Sequence, residues 1–299
     1  MSGPALSRIA LGVDLARRQD HVIDRASRLP LRAGAHVTVM HVLPRDAQPA
    51  EGDVVVGLRA IGAVLLARRP DVTLDVVVGR GDPAEQLARS ADGSGSELLV
   101  VGRSAPRRAL RISMRTTAER ASLRTDIPVL AVRPGPGAPY RRLLAGIESP
   151  ASLSARSIEV ARRLVEDGAC EGHVIHALDE AIEMRMNNAG APRAAIVMAR
   201  RWRRSRLRAE ISAWLEGDLG ERRLHVQLER GDPGRMIIDH ARRVEPDLVV
   251  LGVDHHWLRG RFLRSSVAGA VLARAGCDVL IVRATRTRAV AKGSARAAA

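Results

Sequence analysis

Apolar residues fall in short runs separated by longer mixed stretches. Up to residue 134 the runs lie near 8–14, 36–43, 72–78, 97–101 and 128–132. The last two are almost continuously apolar, as parallel strands covered on both faces require. The stretches between them have helix length. One helix start, over Pro83 to Ser90, carries its own signals: Asp82 stands where it can cap the free amides, and Pro83 suits the first helical turn. Strands alternating with helices predict a parallel sheet joined by right-handed crossovers.

The same pattern then comes round again. Gly81-Asp82-Pro83 recurs as Gly231-Asp232-Pro233. Gly102 recurs as Gly252, each closing an apolar run, and Val129 to Arg133 recurs as Val279 to Arg283, all at an offset of 150 residues. At the front, Ile9 to Asp14 aligns with Leu143 to Glu148 at an offset of 134, and Val39-Met40-His41 with Val174-Ile175-His176 at 135. Agreement over so long a stretch is the mark of a duplication. The change of offset places about 15 additional residues in the second copy, between Leu178 and Leu224. The pattern therefore predicts two domains, residues 1–134 and 141–284, with a Pro-Gly linker at 135–140 and a disordered tail at 285–299. Each is predicted to be a five-stranded, doubly wound α/β unit. Such sheets bind ligands at the carboxyl ends of strands where the strand order reverses. If the first and fourth strands adjoin there, Asp14 faces Gly102, and Glu148 faces Gly252.

Composition narrows the chemistry. The 299 residues are 46% hydrophobic but contain only one Tyr and one Phe, so the cores must rest on Val, Leu, Ile and Ala. The net charge of +15 is carried by arginine, Lys292 being the one lysine. A phosphate loop built on G-x-x-x-x-G-K-[ST] is thereby excluded, as is Schiff-base chemistry in the folded domains. The two cysteines, Cys170 and Cys277, form no CxxC pair and predict neither a disulfide framework nor a zinc ribbon. Met1 to Asp20 lacks a signal peptide's apolar core, and no stretch nears the roughly 18 apolar residues of a membrane span. A cytoplasmic protein with no membrane span is the expectation.

With the repeat in place, the chain resembles the universal stress protein family in both halves. The likeness rests on Asp14 ending the first strand, on His41-Val42, on Gly81-Asp82-Pro83, on Gly102, and on Pro128-Val129-Leu130-Ala131-Val132-Arg133. It implies an adenine-nucleotide alpha-hydrolase-like fold. ATP-binding members of that family carry G-x2-G-x9-G-[ST] after the fourth strand. Glycines there admit the phosphates close to the backbone, and the next helix offers free amides. In the first half Gly102 fits, but Ala105 and Arg115 replace the other glycines ahead of Thr116. In the second half Gly252 fits, while His255 and Ser265 stand ahead of Ser266. The resemblance places Asp14, Val101, Gly102, Ala105, Thr116 and Thr117 around a nucleotide in the first half, and Glu148, Gly252, Ser265 and Ser266 in the second. Asp14 would bond the adenine or ribose, and magnesium would accompany ATP. Each motif keeps one glycine of three. Arginine at position 115 is disfavoured if that position needs positive φ.

The remaining signals are weaker. Arg200 to Arg208 hold six arginines beside Trp202, and Leu207, Ile211, Trp214 and Leu215 recur at helical spacing. This predicts an amphipathic helix with a solvated basic face, or else a surface for nucleic acid or an anionic membrane. Asp239-His240 and Asp254-His255-His256 match no metal-binding spacing and read as surface or loop residues. His41 and His176 read as packed strand-end residues, and no metal site is expected. No nucleophile elbow or triad is present, so no enzyme is predicted. The expectation is a non-enzymatic stress-response or regulatory module with degenerate nucleotide loops and an unidentified protein partner. The resemblance implies that its halves form an internal pseudo-dimer through 129–132 and 279–282, with a homo-oligomer as a further option. The alternatives are an ATP-binding switch in the first half and an anionic-surface binder through 200–208.

Overall fold

The structure, a computed structural model, describes residues 5–16, 20–47, 51–103, 115–135, 137–147, 152–165, 170–178, 181–219, 224–253 and 267–283. In the first half the strands are β1 (Leu6–Gly12), β2 (Leu31–Leu43), β3 (Thr73–Arg80), β4 (Leu98–Gly102) and β5 (Val129–Val132). Between them lie the helices α1 (Asp20–Arg28), α2 (Glu51–Arg68), α3 (Pro83–Gly93) and α4 (Thr117–Ser122). The second half supplies β6 (Arg142–Ile147), α5 (Ser152–Leu164), β7 (Glu171–Ala177), α6 (Ala181–Asn188) and α7 (Arg193–Leu219). It ends with β8 (Leu224–Glu229), α8 (Pro233–Val244), β9 (Leu248–Val253), α9 (Val267–Arg274) and β10 (Asp278–Arg283).

Both halves are α/β units with parallel strands, and they join into one ten-stranded sheet of order β3-β2-β1-β4-β5-β10-β9-β6-β7-β8. The order of the first half is mirrored in the second. The junction is the antiparallel pair β5–β10, with Leu130 opposite Leu280 and Val129 opposite Ile281. These are the segments through which the family resemblance implies that the halves meet.

Alternation along the strands explains why both faces are dry. Leu98 and Val100 pack on one side with helices α1, α2, α5 and α7, through Val22, Leu58, Ile158 and Ile211. Leu99 and Val101 pack on the other with α3, α4, α8 and α9, through Leu87, Ala118, Ile237 and Val271. Each core runs unbroken across the junction, since Leu130 and Leu280 share the first and Val129 and Ile281 the second. β2 begins earlier than its apolar run, at Leu31, where Leu31 pairs with Leu6. The Arg32 to Gly34 stretch is exposed, so no hydrophobic pattern announces that extension.

The additional residues of the second half form α6 and lengthen α7 to 27 residues, against 18 in α2. Leu207 and Ile211 of α7 face the core as their spacing predicts, while Trp214 and Leu215 lie outside the described side chains. The tail after residue 283 also lies outside the described residues. Among the described residues no helix is long and apolar enough to cross a membrane.

Candidate functional site

The crevice of the first half opens where the strand order reverses. β1 pairs with β4 in parallel, with Gly12 opposite Val101. Asp14 and Gly102 therefore leave adjacent strands at the same end of the sheet. A Cβ on Gly12 would lie 2.9 Å from the Leu87 methyls, so α3 rests directly on the strand end. Gly146 meets Ile237 of α8 in the same way, at 2.7 Å. At both positions a side chain of the neighbouring helix packs where a Cβ would stand.

The first strand is finished by a histidine brace, present twice. His41 Nδ1 lies 3.0 Å from the Val13 carbonyl, and His176 Nδ1 lies 2.8 Å from that of Ile147. The Leu15 amide also approaches His41 Nδ1, at 3.4 Å. A carbonyl can only accept, so Nδ1–H donates to it and has no lone pair left for the Leu15 amide. Both histidines are the packed strand-end residues that the sequence suggests. In the turn that follows, Asp14 Oδ1 accepts from the Ala16 amide at 3.1 Å.

Around the loop the polar groups already have work. The Arg103 amide donates to the Val132 carbonyl at 2.7 Å. Its guanidinium reaches into the second half, donating to the carbonyls of Cys277 at 2.6 Å and Ala275 at 2.9 Å. Thr116 caps α4, its hydroxyl accepting from the Glu119 amide at 3.1 Å, and half-buried Thr117 is the first residue of that helix. Arg115 pairs with Glu119 at 3.6 Å. Gly252 is the last residue but one of β9, beside Val282. Ala105, Glu148, Ser265, Ser266 and the Asp254-His255-His256 group lie outside the described residues.

The Gly-Asp-Pro element has the same geometry twice. Gly81 and Gly231 have φ of +113° and +128°, a region that side chains rarely adopt. Asp82 Oδ1 then accepts from the Glu85 amide at 2.9 Å, and Asp232 Oδ1 from that of Arg235 at 2.8 Å. Asp82 also pairs with Arg120 of α4. Burial would raise the Asp82 pKa, but the amide and the guanidinium outweigh it and hold the carboxyl below its ordinary range.

The pattern that matches the Universal stress protein family covers residues 6–133 and again 139–283. The chain belongs to the universal stress protein family. Among solved structures it is similar to a universal stress protein from Archaeoglobus fulgidus DSM 4304, at 15% identity and a TM-score of 0.64, covering 93% of this chain and 97% of that one. A putative universal stress protein from Pseudomonas aeruginosa UCBPP-PA14 matches at 14% identity and a TM-score of 0.60, over 93% and 94% of the two chains. No curated protein matches the sequence.

Within this universal stress protein the junction carries a second set of polar contacts. Asp278, buried at the start of β10, pairs with buried Arg25 at 2.8 Å. It also accepts from the Tyr140 hydroxyl at 2.7 Å and the Arg133 amide at 2.8 Å. Arg25 lies over the Tyr140 ring, 4.2 Å from its centroid. Arg133 reaches the Gly276 carbonyl, and Arg283 reaches back to that of Leu123 at 3.1 Å. Burial pushes the Cys277 thiol up to about 12, so it stays protonated at neutral pH and is a poor nucleophile.

A further polar group sits on the outer strands of the second half. Glu171 Oε2 accepts from Arg142 Nε at 2.9 Å, and its Oε1 lies 3.1 Å from His173 Nε2 and 3.4 Å from His225 Nε2. The His173 and His225 rings stack at 4.8 Å, with the His240 ring edge-on to His173 at 5.6 Å. His240 is 5% exposed, a buried residue of α8 rather than a surface one. Burial holds the His173 and His240 pKa values below the usual imidazole range. No spacing along the chain reveals this group, because α6 and α7 intervene between β7 and β8.

Proposed function

We propose that this universal stress protein is a non-enzymatic stress-response module acting through protein contacts, in which the nucleotide loop has been given over to structure. Arg103 carries the reading. The residue directly after Gly102 uses its amide on β5 and its guanidinium on the other half. Thr116, the hydroxyl retained from the motif, caps its own helix. The groups that a phosphate would call upon thus serve the fold and the junction.

One observation favours a second reading, an ATP-binding switch in the first half. Asp14, just past β1, and Gly102, the last residue of β4, stand on neighbouring strands. The melting temperature with and without Mg-ATP separates the two, with GTP and pyrophosphate as controls. Ligand at 100 times its dissociation constant adds about 2.7 kcal/mol, a shift of a few degrees. The first reading expects no ATP-specific shift. An ATP-specific shift removed by Asp14→Ala would replace it with the switch. An equal shift with every polyanion would point to the arginine face of α7, where exposed Trp202 lies beside Arg206.

A further inference from the structure

The Glu171 group stands at the opposite end of the sheet from the crevice. Glu171 opens β7 and His225 is the second residue of β8, whereas ligands of this fold meet the carboxyl ends of the strands. Alternation puts Glu171 and His173 on one face of β7. Parallel register then sets His225 directly beside His173. Two imidazoles and a carboxylate are brought together by strand pairing alone.

Their spacing is that of ligands around an ion. One ring nitrogen each of His173 and His225 and a Glu171 carboxylate oxygen all lie within 4.8 Å of one another. A tetrahedral centre with bonds of about 2.0–2.1 Å needs ligand atoms about 3.3 Å apart. The two Glu171 distances, 3.1 and 3.4 Å, already meet that requirement. Arg142 holds the other carboxylate oxygen and so aims Oε1 at the imidazoles, as an outer partner does for a metal ligand. His173 is 8% exposed, and its Nε2 has no aligned hydrogen-bond partner despite the nearby carboxylate. A buried polar atom in that condition is costly and calls for an explanation.

We infer that Glu171, His173 and His225 form a binding site for a divalent transition cation of borderline softness, with Zn2+ the best match. Nitrogen donors disfavour Ca2+ and Mg2+, which take oxygen ligands. His225 is 56% exposed and leaves the ion a route from solvent. The bound ion clips the outermost strand, β8, to β7, which makes the role structural. Arg142 opposes the added positive charge, so affinity falls below that of a closed four-ligand site.

Metal-stripped, tag-free full-length protein is titrated with Zn2+ in competition with a chromophoric chelator. Wild type, His225→Ala, Glu171→Gln and the first-half control His36→Ala are compared, each checked for folding by its melting curve in chelator. Loss of a partner outside the ligand set costs 10–100-fold in affinity, so loss of a ligand should cost at least tenfold. The expected result is that His225→Ala and Glu171→Gln each lose one tight equivalent relative to wild type while His36→Ala keeps it. Co2+ in place of Zn2+ should give a tetrahedral visible band that His225→Ala removes. Absence of any Zn2+ uptake by wild type, or equal uptake by wild type and both site variants, overturns the inference. None of these outcomes depends on whether the protein binds nucleotide.

Discussion

Glu97 stands one residue ahead of β4 and draws donors from both halves of the chain. The Ser7 amide donates at 2.8 Å, the Ser7 hydroxyl donates as well, and Arg163 of α5 pairs with it from the second half. Burial alone would raise its pKa, but these donors outweigh burial and bring it down from 4.5 to about 2. A carboxyl depressed in the folded state stabilises above its unfolded pKa, and the contribution fades as pH falls through the folded one. Stability should therefore drop between about pH 4.5 and pH 2. Urea unfolding at a series of pH values measures it, and Glu97→Gln should flatten the slope; an unchanged slope would place the acid transition elsewhere. Nothing in the sequence announces Glu97, because its partner Arg163 becomes a neighbour only when the sheets join. Asp14 and Gly102 were legible for the opposite reason: each ends an apolar run, and the fold brings the ends of those runs together.

At the scale of elements, the Gly-Asp-Pro starts of α3 and α8 were readable to the residue. A capping side chain, a proline and a glycine are local signals that no tertiary context has to supply. The two differ in what else the aspartate holds. Asp232→Ala removes a cap, worth about 1 kcal/mol. Asp82→Ala removes a cap and the Arg120 pair that ties α3 to α4, so it should destabilise more. Unfolding of the two variants in denaturant ranks them, and equal losses would mean that the Arg120 pair contributes nothing. α6 and the full length of α7 were harder to read. Their apolar positions are few, and part of what orders them is Glu183 of α6, which pairs with Arg200 of α7 and with Arg230 beyond β8. Charge pairs of that kind leave no period in a sequence. The Glu171, His173 and His225 group was hidden likewise, since register between parallel strands is a property of the sheet.

For the whole molecule the joint at β5 and β10 decides the behaviour. Two apolar cores cross it, and the buried Arg25, Tyr140 and Asp278 contacts lock it. Removing one member of a buried ion pair costs about 3–5 kcal/mol, because its partner is left charged in a dry site. Asp278→Ala should cost that much in urea unfolding. Calorimetry of the wild type should show one transition, whereas two separate transitions would mean that the halves unfold independently. The family resemblance made this joint's strands an expectation from the sequence; its polar lock was not, since Asp278 stands where the first half has Pro128. That mismatch has a consequence. Two separate chains meeting through a two-fold axis must present identical surfaces to each other, and their pairing weakens on dilution. A covalent connection removes both conditions: the pairing becomes intramolecular and holds at any dilution, and each half can carry a residue the other lacks. Arg103 facing the second half, with Val253 at the equivalent place in return, is such an asymmetry. Tandem fusion thus lets the two copies differ at the joint without losing it.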